Sequence, residues 1–183
     1  MLTFKHITLD NLQEFAGFIV SSEMNYPSDI RTTIDDFSYI LEDENIFLVA
    51  LLDGRYVGNV VGYPLTKNDM DEDCFAGQDP ENNRIMYLFN IVVDPVFQGR
   101  GFGSILLREF VRVSKEKGYE KVLGHFRQNG SLRLFEKEGG QRLKLEKDWE
   151  GCGEDYFFCE LELAICAPCI HASSDAKETV SHM

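Results

Sequence analysis

The run Ile85–Val93 constrains the fold more than any other stretch, because it holds Tyr87, Leu88, Phe89, Ile91, Val92 and Val93 with few polar residues between them. A near-continuous apolar run of this kind reads as a strand covered on both faces, so other parts of the chain must pack above and below it. Asp94-Pro95 ends the strand, and Gln98-Gly99-Arg100-Gly101-Phe102-Gly103 follows at once. The periodicity then predicts a helix from about Gly103 to Lys117, with Leu106, Phe110 and Val113 on its core face and Gly118 just past its end.

Around this unit the pattern is strand, two helices, three strands, helix, strand, helix, two strands. Phe4 to Leu9 reads as a strand, Asp10 as a helix cap, and Leu12 to Val20 as a helix with Leu12, Phe15, Ala16 and Ile19 on one face. Thr32 or Thr33 to Leu41 is a second helix. Ile46 to Leu52 and Tyr56 to Tyr63 form a hairpin about Asp53-Gly54. The later elements are Lys121 to Phe126, a short helix Ser131 to Lys137, Gln141 to Leu145, and Tyr156 to Leu163. This is an α+β chain, a mixed sheet with helices packed on it. One domain over 1–163 is expected, followed by a mobile tail from Ala164 to Met183. The long polar stretch Thr66 to Asn83 fits either a solvated loop or a substrate lid.

Three glycines at 99, 101 and 103 let the backbone approach a ligand and adopt unusual dihedrals. A helix beginning there aims its free N–H groups and the positive end of its dipole at the loop. These features fit either a seat for a phosphate or pyrophosphate, to which Arg100 can add a charge-assisted contact, or a tight strand-to-helix turn without a ligand. A Rossmann site would need an acidic residue at the end of the next strand, whereas Glu120 precedes the strand at 121–126. A P-loop is excluded, since no Gly-Lys-Ser/Thr closes the segment.

The net charge of −13 repels phosphate backbones and anionic lipid, which argues against nucleic-acid and membrane partners. The same field attracts cations, amines among them. No signal-peptide pattern precedes the first strand, so a cytoplasmic location and free thiols at the five cysteines are expected. Cys166-Ala167-Pro168-Cys169-Ile170-His171 has metal-ligand residues but no second pair to complete a zinc site, and no metal is expected.

The segment Ile91 to Gly103 resembles the central motif of the GNAT superfamily of N-acetyltransferases, Gln/Arg-x-x-Gly-x-Gly/Ala after a strand ending in Val-x-Pro. Asn129-Gly130-Ser131 followed by Leu134-Phe135-Glu136-Lys137-Glu138-Gly139-Gly140 is similar to that family's later segment, in the right order and at the right separation. The resemblance implies an acyl-CoA N-acyltransferase-like fold, with a mostly antiparallel sheet whose central strands splay. It implies acetyl-CoA as co-substrate, with Gln98, Gly99, Arg100, Gly101, Phe102, Gly103 and Ser104 around the pyrophosphate. Ile91 and Val93 would pair with the pantetheine arm, and Asn129 and Phe135 would lie against the cofactor. The acyl group would pass directly to a primary amine on a small molecule or peptide. A sensor that binds acyl-CoA without catalysis is the competing reading.

Two departures from the family pattern matter. Phe135 stands where a Tyr commonly protonates the leaving thiolate, and Phe89 where a Glu commonly serves as base. Neither can move a proton. Tyr156 and His125 are the remaining catalytic candidates, each with a structural reading as a strand residue beside the functional one. Tyr87 and Asn90 on the central strand are weaker ones. The acceptor is expected to be cationic, steered by the acidic surface and by Asp69, Asp71, Glu72 and Asp73.

Overall fold

The computed structural model describes residues 1–41, 44–71 and 73–164, without the side chains of Tyr39, Asp71 and Asp73. The 165–183 tail, with its Cys-x-x-Cys pair, lies outside the described residues, as do Glu72 and the side chains of its two acidic neighbours. The elements are β1 (Leu2–His6), α1 (Leu12–Glu23), α2 (Ile34–Ile40), β2 (Ile46–Leu52), β3 (Arg55–Pro64), β4 (Ile85–Val93), α3 (Phe102–Glu116), β5 (Lys121–Arg127), α4 (Gly130–Lys137), β6 (Gln141–Glu146) and β7 (Tyr156–Glu162). They form one seven-stranded sheet in the order β1-β2-β3-β4-β5-β7-β6. Every neighbouring pair is antiparallel except β4 with β5.

Helices cover both faces, as the buried central strand requires. On one face α3 (Leu106, Leu107, Phe110) and α4 (Leu132, Phe135) pack over Met86, Leu88, Val122 and Phe126. On the other, α1 (Leu12, Phe15, Ile19) and Phe37 of α2 cover Phe47, Val49 and Val61. The polar 66–83 stretch contains short 3₁₀ turns, Lys67–Asp71 and Asp73–Phe75. It is pinned by Phe75, which is buried with Leu65, Tyr87, Leu123 and Phe158. Part of that stretch is therefore wall, not solvated loop.

Two local readings of the sequence need correction. The residue before α1 is Asn11, not Asp10; its side chain accepts from the Thr8 N–H at 2.9 Å and donates to the His6 carbonyl at 3.1 Å, bracing the strand-to-helix turn. Helix α1 also runs a full turn further than the apolar pattern suggested, to Glu23.

The feature that creates the site lies in the middle of the sheet. β4 and β5 pair only from Ile85–Lys121 to Leu88–Gly124, although β4 runs on to Val93 and β5 to Arg127. On its other side β4 shifts register against β3, with Val61 opposite Asn90 and Gly62 opposite Leu88, so Phe89 is the extra residue of a bulge. A bulge bends its strand and leaves the inserted residue unpaired. Here it falls one residue after the last β4–β5 pair, where the two strands part into a wedge.

Candidate active site

One half of the wedge is built by the glycine segment. A cavity of about 480 Å³ is lined by Ile91, Val93, Gln98, Gly99, Gly101, Phe102, Gly103, Ser104 and Asn129, with Phe97, Gly130, Ser131 and Leu134. Gly101 precedes α3 at φ +84°, a left-handed conformation that glycine adopts without a Cβ penalty. The first turn of an α-helix has no intrahelical acceptors for its leading N–H groups, and the first such bond here is Ile105 N–H to Gly101 O, at 3.3 Å. The amides of Phe102, Gly103 and Ser104 thus lie at the positive end of a fifteen-residue helix, on the cavity wall. The residues present fit a diphosphate: backbone donors, a glycine-lined approach and no carboxylate. Gln98 Nε2 donates to the Val93 carbonyl at 3.0 Å and ties the loop to the end of β4. Asn129 lines the cavity, and its Oδ1 caps α4 by accepting from the Ser131 N–H at 2.9 Å and Oγ–H at 2.7 Å.

Two residues of the expected cofactor set lie elsewhere. Arg100 does not line the cavity; its guanidinium sits over the Phe97 ring at 5.8 Å. Phe135 is fully buried on the core face of α4, its ring 4.6 Å from Phe126, and it lines neither half of the wedge. Amphipathic spacing turns Phe135 inward with Leu132, which places it in the core and not on the wall expected to face the cofactor. Phe135→Tyr should bury a hydroxyl at a cost of about 1–3 kcal/mol. The expected result is a lower Tm in thermal unfolding with no gain in turnover.

The other half is a cavity of about 350 Å³ that shares Ile91, Val93, Gln98, Asn129 and Ser131 with the first. Its walls come from distant segments: the end of α1 and the stretch after it (Glu23, Tyr26), Tyr63 of β3, Phe75, Phe89 and Asn90 of β4, His125 of β5, and Trp149 and Tyr156 from the other edge.

Glu23 is 3% exposed. Its Oε1 accepts from Asn90 Nδ2 at 2.6 Å and its Oε2 from the Thr32 N–H at 3.0 Å. Asn90 Oδ1 in turn accepts from Asn59 Nδ2 at 3.2 Å, and Asn59 Oδ1 accepts from the hydroxyls of Ser22, at 3.3 Å, and Tyr56. This buried network fixes the carboxylate beside the bulge. Burial raises the Glu23 pKa above the ordinary carboxylate value, against the opposing pull of the Thr32 and Asn90 hydrogen bonds. Sequence reasoning missed Glu23. The signal was present, because Ile19 and Glu23 are one helical turn apart on the face that Leu12 and Phe15 bury.

Tyr156 is 4% exposed, and its hydroxyl has no partner among the described residues. Burial pushes its pKa up to about 12. His125 is held between the rings of Trp149, at 3.8 Å, and Phe158, at 4.7 Å, with Nδ1 2.9 Å from the Tyr87 hydroxyl. Burial, helped by Lys144, pulls its pKa down to about 3. A ring so placed stays neutral near pH 7 and is a poor proton acceptor there, so the geometry favours its structural reading over that of a base.

That shift has a consequence for stability. The unfolded chain takes up a proton on His125 near pH 6.5, the folded chain only near pH 3. Stability present at neutral pH is therefore lost as pH falls through that window, by up to about 2 kcal/mol at pH 5. His125→Gln should flatten this loss. Melting curves at about pH 7 and pH 5 should show a drop some 4–8 °C smaller in the variant.

A mixed sheet with parted central strands, and a helix N-terminus behind a glycine loop at the mouth of the gap, define an acyl-CoA N-acyltransferase-like fold. The chain belongs to the acetyltransferase (GNAT) family, whose sequence profile matches residues 10–140. Over 63 residues it is 38% identical to the ribosomal protein bS18 alanine N-acetyltransferase of Haemophilus influenzae, covering 34% of this chain and 43% of that one. It is 23% identical over 155 residues to an uncharacterised N-acetyltransferase of Methanocaldococcus jannaschii, covering 80% of this chain and 64% of that protein. The aligned region therefore spans less than two thirds of either relative. The crystal structure of the Escherichia coli ribosomal-protein-S18-alanine N-acetyltransferase superposes with a TM-score of 0.69 at 15% identity, covering 93% of this chain and 99% of that one. Among the described residues no helix is long and apolar enough to cross a membrane.

Proposed function

We propose that this chain transfers an acyl group, acetyl by default, from acyl-CoA directly to the nitrogen of a primary amine. The observation that carries the reading is the two-part wedge. Its diphosphate-compatible half and its carboxylate-bearing half meet at Ile91 and Val93. The pantetheine arm would run along that junction, bringing the thioester carbonyl to the end of β4, where a backbone N–H near Val93 polarises it.

An ammonium must lose its proton before its nitrogen can attack. Glu23 takes that proton, directly or through one water, and its raised pKa suits it to the work better than an ordinary carboxylate. The N–C bond then forms as the C–S bond breaks, the electron pair leaves on sulfur, and the second proton on the acylated nitrogen passes to solvent water. Tyr156 lines the same cavity and, with Phe135 in the core, its buried hydroxyl is the group we assign to meet the thiolate. At a pKa of about 12 it holds its proton more tightly than a thiol, which has a pKa of about 8.5, so it stabilises the thiolate by a hydrogen bond and does not surrender the proton. The acceptor is a cationic amine, in keeping with the net charge of −13.

Free-thiol release from acetyl-CoA across a panel of amines tests the reading. Amine-dependent release supports it. Tight CoA binding with no release from any amine would instead identify a sensor.

A further inference from the structure

We infer that the acceptor half of the wedge selects an amine carried on an aromatic body. This rests on the proposed transfer reaction and names the substrate class for that same site.

One wall of this half is a chain of ring contacts. Phe89 lies 6.0 Å from Tyr63, Tyr63 5.3 Å from Tyr87, Tyr87 5.9 Å from His125, and His125 3.8 Å from Trp149. All of them line the cavity. They come from four strands or turns far apart in sequence, so their meeting is a property of the site and not of one amphipathic element. Phe89 is 37% exposed, a large apolar side chain left open to a cavity in the middle of the sheet. Tyr63 beside it and Trp149 at the other end of the chain of rings are half-buried. Exposed aromatic surface in a concave site is relieved by a ligand that covers it, and rings prefer stacked or edge-on ring partners.

The polar groups agree with a ligand of this shape. His125 remains uncharged near neutral pH and does not repel a cation. The Tyr156 hydroxyl is buried and has no partner among the described residues, and Tyr156 lines the same space. Arg127, the guanidinium on the wall, donates to Glu154 at 3.2 Å and to the Asn25 carbonyl at 2.9 Å, so it is already engaged and is a poor seat for a substrate carboxylate. The ammonium would lie toward Glu23, with the ring against this aromatic wall. A polyamine has no ring to stack on this wall and could meet it only by cation–π contacts, and a peptide would need backbone partners that aromatic faces do not offer.

Trp149 is the single tryptophan of the chain, so its fluorescence reports this wall without requiring turnover. CoA-saturated protein would be titrated with 2-phenylethylamine, hexylamine, spermidine and a short peptide with N-terminal alanine. The expected result is a saturable change with 2-phenylethylamine at a half-saturation about tenfold below that of hexylamine, and weaker responses from the other two. Phe89→Leu, which keeps an apolar side chain at a partly exposed position, should cut that preference to about threefold or less while melting normally. Equal half-saturation for the aromatic and aliphatic amines, or tighter binding of spermidine or the peptide, would overturn the inference. A clear aromatic preference without thiol release would leave this specificity standing and remove the transfer reaction instead.

Discussion

Glu23→Gln is expected to lower kcat/KM for the amine by about two to four orders of magnitude, the usual contribution of a positioned general base, while CoA binding stays unchanged. Glu23 lines only the acceptor half of the wedge. Gln retains an oxygen that can accept from Asn90 at 2.6 Å but cannot accept a proton from an ammonium. Because burial raises the Glu23 pKa, the wild-type rate should climb with pH through a value above the ordinary carboxylate range. The base works only when ionised, so activity is low below that value and full above it. The variant should lose this limb and keep whatever dependence the amine itself imposes. A purely structural Glu23 would lower Tm but leave the shape of the pH–rate profile intact.

Gly101→Asp should weaken CoA binding by about ten- to a hundredfold, as measured by calorimetry. An added Cβ at Gly101 meets nothing within 4 Å, so the free protein accommodates the change apart from its positive φ, which Asp tolerates better than most residues. The new carboxylate then occupies the helix N-terminus that the diphosphate requires, and the two charges repel. Gly103→Asp is a less clean probe. A Cβ there would lie 2.7 Å from Leu134 Cδ1, so it disturbs the contact of α3 with α4 as well as the ligand seat.

Much of this arrangement was legible in the residues. Continuous apolar character identified β4, and the glycines after it located the half of the wedge at the α3 N-terminus, because both signals are local and each has few physical explanations. The acceptor half was not legible, since it is assembled from non-local pieces. Tyr63, Phe75 and Trp149 belong to segments that read separately as a strand end and loops, and only the sheet order brings them together. Glu23 was overlooked because the apolar stripe of α1 was read as ending at Val20, one turn short of the helix. Phe135 was misplaced for a different reason. Its motif position resembles that of a cofactor-facing Tyr, yet an amphipathic helix with Leu132 and Phe135 on one side turns both into the core. The bulge at Phe89 left no mark on the sequence, because it reflects a shift of register between two strands and no particular residue type.

Acyl transfer in a single step is the central claim, and mass spectrometry of one turnover tests it most directly. Protein mixed with acetyl-CoA alone should remain unmodified, even at Cys74 on the cavity wall. Addition of 2-phenylethylamine should give one N-acetylated amine for each free CoA released. Acetyl found on the protein before the amine is added, or bound acetyl-CoA left intact by every amine offered, would contradict the account.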